Sequence, residues 1–226
     1  VSTRLVGMII MAHGDDKGLK LPPKLAPHQI VIVPIIPNDK DKDSVMTVVN
    51  QLNDTLSEFR VIIDDRSEVS PGFKFNEWEQ KGVPLRVEVG PKDIEKNTIL
   101  VSRRDDESKN SYPIDEVQNT IKKLLDEIQD NLYKNSENTL KENTTHVESF
   151  SELIEVLNSK KGFVSCFWKE NKEDELKIKE ETTATLRCYP LENTDSEKAV
   201  NSDSENGNFA ISVSYTHLRA HETDLN

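Results

Sequence analysis

The run Gln29–Ile36, QIVIVPII, constrains this chain more than any other stretch. β-Branched residues pack well on a pleated surface, and prolines at 27 and 37 bound the run, so it predicts a buried strand. Directly after it, Val45, Val48, Val49, Leu52, Leu56 and Phe59 recur at the 3.6-residue period. They predict a helix over 43–59, with Asp43 or Ser44 capping its first amides. Val61–Asp64 reads as a second strand. Phe73–Lys81 reads as a short helix ended by Gly82, which tolerates a left-handed turn. Val83–Val89 and Thr98–Ser102 read as a third and a fourth strand. Strand and helix alternate, which is the pattern of a layered α/β sheet.

Nine of the ten prolines and six of the eight glycines precede residue 114, so turns punctuate the first half and not the second. Asp115 opens a long helix with Val117, Ile121, Leu124, Leu125, Ile128 and Leu132 on one side. The polar stretch Lys134–Thr145 is either more helix or a loop. Ser149-x-x-Glu152 is a capping box before Leu153, Ile154 and Leu157. Phe163–Trp168 reads as a strand, Asp174–Glu181 as a helix and Thr185–Tyr189 as a strand. Asn193–Asn208 is acidic and rich in Ser and Asn, which predicts disorder. Ser212–Thr223, SVSYTHLRAHET, is similar to the translation of a sequencing-library adapter. Residues 212–226 are therefore set aside from fold reasoning, together with the metal reading that His217 and His221 at i, i+4 would invite.

The opening residues are apolar through Leu5, Val6, Met8, Ile9, Ile10 and Met11. They predict a buried strand, with a buried helix as the alternative. The chain starts at Val1 rather than Met and reads as the tail of something longer.

Length and charge bound the function. The 226 residues carry 29 basic and 41 acidic side chains, a net charge of −12, which argues against a general nucleic-acid coat protein. A local basic site remains open, because Lys17, Lys20, Lys24, Lys74, Lys81, Arg86 and Lys92 all fall in the first domain. Two cysteines, Cys166 and Cys188, exclude a disulfide scaffold and make a reducing compartment the default. No run approaches the ~20 apolar residues of a membrane span.

Several constellations suggest chemistry. Arg4 lies in an apolar stretch beside Ser2 and Thr3. A guanidinium among apolar neighbours needs an anion, since unpaired charge is costly to bury. His13, Asp15 and Asp16 could form a metal or acid–base cluster, but Asp beside Gly is more simply a turn. Asp64 and Arg66 at a strand end read as a structural pair. Phe75, Glu79, Arg86, Lys92 and Asp93 combine a ring, acids and bases within 19 positions.

Three stretches together resemble the prolyl-tRNA synthetases of the type with an extra C-terminal domain. The first is Val1–Gly7 running into MAHGDDKGLKLPPKLAPHQIVIVPI, similar to the third class II signature motif and the exit to an anticodon domain. The second is Pro71–Glu79 followed by KGVPLRVEVGPKDIE. The third is KEETTATLRC over residues 179–188, which separates the prolyl family from threonyl, histidyl and glycyl relatives.

The resemblance implies a C-terminal fragment that begins at the third motif. It implies an α/β fold: a strand remnant of the class II antiparallel catalytic domain over 1–26, and an anticodon-binding domain with a mixed sheet over 27–112. A smaller α/β C-terminal domain over 113–192 and a tail over 193–226 follow. The parent would join proline to its tRNA through prolyl-adenylate, using ATP and Mg²⁺, as a cytoplasmic homodimer. Here Ser2, Thr3 and Arg4 would contact ATP, with Arg4 as the catalytic cation. The anticodon of a proline tRNA ends in two guanines. Guanine offers O6 and N7 to Arg or Lys and its N1–H and N2–H to a carboxylate, while loop bases stack on aromatic rings. By resemblance Phe75 would stack, and Glu79, Arg86, Lys92 and Asp93 would read guanine edges. Many members hold zinc through four cysteines. Cys166 matches the first ligand, but the second position is Asn171, and the later pair would fall in the adapter-like stretch, so no zinc is expected. With the upstream pocket missing, the fragment alone is expected to be inactive. A non-catalytic tRNA-binding adaptor and a threonyl- or histidyl-type relative are the alternative readings.

Overall fold

The computed structural model describes residues 3–159, 162–168, 172–182, 184–188 and 208–213. The chain forms two compact units, residues 1–136 and 137–226.

The first unit is built on a five-stranded mixed sheet of order β2-β1-β3-β4-β5. Its strands are β1 (Ile30–Pro34), β2 (Val61–Ile63), β3 (Leu85–Val89), β4 (Thr98–Arg103) and β5 (Lys109–Pro113). β1 runs parallel to β2 and β3, while β3–β4 and β4–β5 are antiparallel. Helix α1 (Arg4–His13) precedes the sheet, and α2 (Lys42–Thr55), α3 (Pro71–Gln80), α4 (Pro91–Glu95) and α5 (Val117–Glu142) follow its strands. The side-chain period of two divides β1 between two cores. Ile30 and Ile32 join Leu85, Val87, Val89, Ile99 and Val101 under the stripes of α2 and α5. Val31 and Val33 face the other way and pack with Trp78 of α3 and Val83. The predicted stripes largely coincide with burial: Val45, Val49 and Leu52 of α2, and all six residues of the predicted α5 stripe, are buried, while Val48 is half-buried. The first turn of α2 departs from expectation. Its N-cap is Asp41 and no side chain caps it, while the Ser44 hydroxyl donates to the Asp41 carbonyl at 2.8 Å.

Residues 4–13 form a helix, not the expected buried strand, and none of its residues is buried. A strand needs a neighbour to satisfy its ladder, and among the described residues no strand pairs with this segment. A helix satisfies its own N–H and C=O groups internally. Leu5, Val6, Met8, Ile10 and Met11 consequently stay exposed. β5 also goes beyond the sequence reading, since its residues are mostly exposed and polar and only pairing with β4 makes them a strand.

The second unit holds a four-stranded sheet of order β6-β7-β9-β8. Its strands are β6 (Thr144–His146), β7 (Phe163–Trp168), β8 (Thr185–Cys188) and β9 (Asn208–Val213), with α6 (Phe150–Ser159) and α7 (Lys172–Thr182) between them. Its core gathers Val147, Leu153, Leu157, Val164, Cys166, Ile178 and Ala184. At the start of α6 the Ser149 hydroxyl accepts from the Glu152 N–H at 3.3 Å. The Glu152 carboxylate takes the Glu148 N–H at 3.1 Å, so the box closes one residue early. The tail assigned to 193–226 contains β9, which pairs antiparallel with both β7 and β8. The rest of the segment read as disordered, 193–207, lies outside the described residues. The compact units divide at 136, inside α5, which runs unbroken from Val117 to Glu142.

Candidate nucleic-acid interface

A cleft of about 430 Å³ lies on the α3 face of the first sheet. Register explains its floor. Val31, Arg86, Ser102 and Lys109 lie in one cross-strand row over β1, β3, β4 and β5. All four line the cleft, with Phe75, Asn76, Trp78 and Glu79 contributed by α3. β3 reads Leu-Arg-Val-Glu-Val, so its apolar residues enter the main core while Arg86 and Glu88 share the opposite face.

α3 is fixed at both ends. The Ser70 hydroxyl accepts from the Phe73 N–H at 3.3 Å and Pro71 occupies the first turn. At the other end Gly82 adopts φ +74, and a Cβ there would sit 2.6 Å from the Leu19 Cβ. The segment after α1 runs along this end, with the Leu19 N–H donating to the Gln80 carbonyl at 3.0 Å and the Leu21 N–H to the Gly82 carbonyl at 3.1 Å. Beneath the helix, Asp64 accepts from Arg66 through both oxygens at 2.8 and 2.7 Å, and from the Trp78 indole at 2.7 Å. The hydrogen bonds from Arg66, with those from Trp78 and the charge of Lys74, hold the Asp64 carboxyl down at about 2 against the opposing effect of burial. The Asp64–Arg66 pair is thus structural, as its place at a strand end suggests.

Within the cleft the Arg86 guanidinium lies 4.2 Å from the centre of the Phe75 ring, a cation–π contact, and Lys109 lies 5.7 Å from the same ring. The Arg86 Nε donates to Glu88 Oε1 at 3.0 Å. Lys17 reaches into the cleft and pairs with Glu107, while its Nζ stays 3.8 Å from Glu79. The hydrogen bond from Lys17 holds the Glu107 carboxyl below its ordinary range, and the same contact raises the Lys17 ammonium. Arg104 makes a two-point pair with Asp15 and donates through Nε to the Glu79 carbonyl. Asp15 Oδ1 also accepts from the Lys17 and Gly18 amides, and Gly18 has φ +135, so this segment is the turn that the sequence suggests. Arg103 is held bidentately by Asp105.

The structure thus brings Phe75, Glu79 and Arg86 to one cleft and leaves Lys92 and Asp93 outside its lining. Both sit on α4, where the Asp93 carboxylate accepts from the Gly90 N–H at 3.0 Å and Lys92 is exposed. Lys17, Ser102, Arg104, Glu107 and Lys109 also line it, and sequence reasoning does not assign them to it. The only local signal is the polar alternation of Arg86 and Glu88 inside an apolar strand.

Thr3 and Arg4 occupy the exposed start of α1 and line none of the three described cavities. Ser2 lies outside the described residues. Among the described residues no group of three or more His, Cys, Asp or Glu is placed to hold a metal. The Cys166 thiol is buried, which pushes it up to about 11, and Asn171 lies outside the described residues. No helix among the described residues is long and apolar enough to cross a membrane.

The first unit is thus an α/β module whose half-parallel sheet carries a cationic, ring-lined cleft. The family model described as an anticodon binding domain matches residues 29–124, and that of the prolyl-tRNA synthetase C-terminal domain matches 150–212. The chain is 46% identical over 193 residues to a proline--tRNA ligase of Natranaerobius thermophilus, and 46% identical over 196 residues to that of Roseiflexus sp. strain RS-1. Each alignment takes in 85% of this chain and 40% of the relative, so the chain spans well under half their length. A crystal structure of prolyl-tRNA synthetase from Cryptosporidium parvum, complexed with L-proline and AMP, superposes with a TM-score of 0.83 at 38% identity, covering 93% of this chain and 46% of that one. The same enzyme with halofuginone and AMPPNP gives 0.84 at 37% identity, covering 94% and 46%. The chain belongs to the prolyl-tRNA synthetase family. It carries the family's anticodon-binding and C-terminal domains, which sets aside the threonyl- and histidyl-type alternative.

Proposed function

We propose that this chain recognises the anticodon of a proline tRNA for a proline--tRNA ligase. The observation that carries the reading is the Arg86 guanidinium 4.2 Å above the Phe75 ring, in a cleft that Glu79 also lines. This set offers what a guanine needs: N–H donors for O6 and N7, a carboxylate for N1–H and N2–H, and an apolar ring for stacking. Lys17 and Lys109 at the rim suit the loop phosphates. Lys92 and Asp93 would serve the second guanine from α4, with Asp93 Oδ2 held by the Gly90 N–H and Oδ1 left to accept from the base.

The parent reaction on this reading is activation of proline by ATP, followed by transfer to tRNA in a cytoplasmic homodimer. Arg4, with Thr3 and Ser2, would approach the ATP phosphates, an assignment carried by sequence resemblance. Mg²⁺ belongs to the same reading, as the partner of the ATP phosphates. The chain by itself should not form prolyl-adenylate, and proline-dependent ATP–pyrophosphate exchange above background would refute that.

Binding to a proline-tRNA anticodon stem-loop tests the main reading, beside loops with each anticodon guanine replaced. Weaker binding on replacing either guanine is the expected result. Equal binding to every loop would leave only charge attraction and defeat the reading.

A further inference from the structure

We propose that Glu88 is a positioning residue for guanine recognition, holding Arg86 by Nε so that both Nη groups are left for the base. The inference rests on the anticodon reading above and adds a residue to it. Arg86 and Glu88 are two apart on β3 and share the cleft-side face, opposite Val31 and Val33 of the neighbouring strand. The Glu88 carboxylate is nine-tenths buried and accepts from Arg86 Nε at 3.0 Å, with Lys109 3.7 Å from the same oxygen. Among the described residues neither Arg86 Nη group has a hydrogen-bond partner, and the guanidinium rests on the Phe75 ring.

Geometry makes this arrangement selective. An arginine can meet the O6/N7 edge of guanine end-on, through its two Nη groups, or side-on, through Nε and one Nη. Glu88 occupies Nε, so only the end-on fork remains. The carboxylate and the ring together fix the long side chain before the base arrives, which lowers the rotamer freedom lost on binding. Glu88 acts on the base only through Arg86.

The test is fluorescence anisotropy with the full 226-residue chain and a proline-tRNA anticodon stem-loop, intact or carrying 7-deazaguanine at each anticodon guanine in turn. Deletion of N7 should weaken wild-type binding about tenfold at the guanine read by Arg86. Glu88→Ala should bring that ratio to about two or less. Glu88→Gln, whose amide oxygen still accepts from Nε, should fall between. Melting temperature is measured alongside, because a merely structural ion pair would lower it and leave the ratio intact. If Glu88→Ala does not fold, Glu88→Gln decides: a ratio at least halved supports the inference, and an unchanged one overturns it. Wild-type ratios near one for both guanines would overturn the anticodon reading and this inference together. A wild-type preference retained in both Glu88 variants would overturn this inference alone.

Discussion

Arg104 and Asp15, 89 positions apart in sequence, meet in a two-point ion pair with Nη2–Oδ1 at 2.6 Å and Nη1–Oδ2 at 2.9 Å. The Arg104 side chain is 4% exposed and that of Asp15 28%. The pair ties the turn after α1 to the end of β4, and the same arginine lines the cleft and holds the last turn of α3 through the Glu79 carbonyl.

Removing the acid alone should therefore be costly. Asp15→Ala leaves a buried guanidinium without its anion. Breaking a fully buried pair costs about 3–5 kcal/mol, and the partial exposure of Asp15 brings the expectation to roughly 2–3 kcal/mol. Arg104→Met together with Asp15→Ala should restore part of that loss, because no charge then stays buried. Urea unfolding of the three variants measures both values, and an unchanged midpoint for Asp15→Ala would refute the assignment.

Acid should unfold the first unit through Asp64. Its carboxyl is held down at about 2 when folded, below the ordinary value of 3.8. A group with a depressed folded pKa contributes stability above its unfolded pKa and loses it as pH falls. The window here runs from about pH 4 down to 2, and the depression corresponds to on the order of 2 kcal/mol. Asp64→Asn should remove that dependence while lowering stability at pH 7, since the amide cannot match two charged contacts from Arg66. Melting temperature against pH for both proteins is the measurement, and parallel curves between pH 4 and 2 would exclude Asp64 as the cause.

Much of this framework is legible in the sequence because it is periodic. The stripes of α2 and α5 bury the residues that a 3.6-residue period selects, and β1 follows from its β-branched run. The opening segment departs from its expected form because apolar residues without visible alternation fit a strand or a helix equally, and only a pairing partner decides between them. β5 and β9 escape a local reading because each is a strand by virtue of neighbours distant in sequence. The cleft is half visible. Phe75, Glu79 and Arg86 lie close together in the chain, whereas Lys17, Ser102, Arg104 and Lys109 arrive through cross-strand register and a long-range ion pair. Nothing in the local sequence distinguishes those four from solvated polar residues.

Gly82 should not tolerate a side chain. Its φ of +74 is unfavourable for other residues, and a Cβ would meet the Leu19 side chain and backbone at 2.6 to 2.7 Å. Gly82→Ala should destabilise the unit by about 1–3 kcal/mol, more than the few tenths typical of an exposed site. Gly72 offers the contrast, with a helical backbone and nothing within 4 Å of where a Cβ would sit, so Gly72→Ala should be neutral or stabilising. Thermal melts of the two variants compare them directly, and equal shifts would contradict the close approach at Leu19.

Arg86 and Lys109 should separate under salt, although both touch the Phe75 ring. Arg86 is recessed, with 11% of its side chain exposed, and is placed to meet a base edge. Lys109 is 49% exposed on the edge strand, where a phosphate can reach it. Arg86→Ala should therefore erase about 1–3 kcal/mol of preference for guanine. Lys109→Ala should weaken every stem-loop alike and reduce the slope of log K against log salt by about 1. Phe75→Ala should cost about 1–3 kcal/mol by loss of stacking, without altering that slope. Titrations of four stem-loop sequences between about 50 and 200 mM salt resolve the three effects. A Lys109 variant that loses guanine preference with its salt slope intact would reverse the assignment of the two cations.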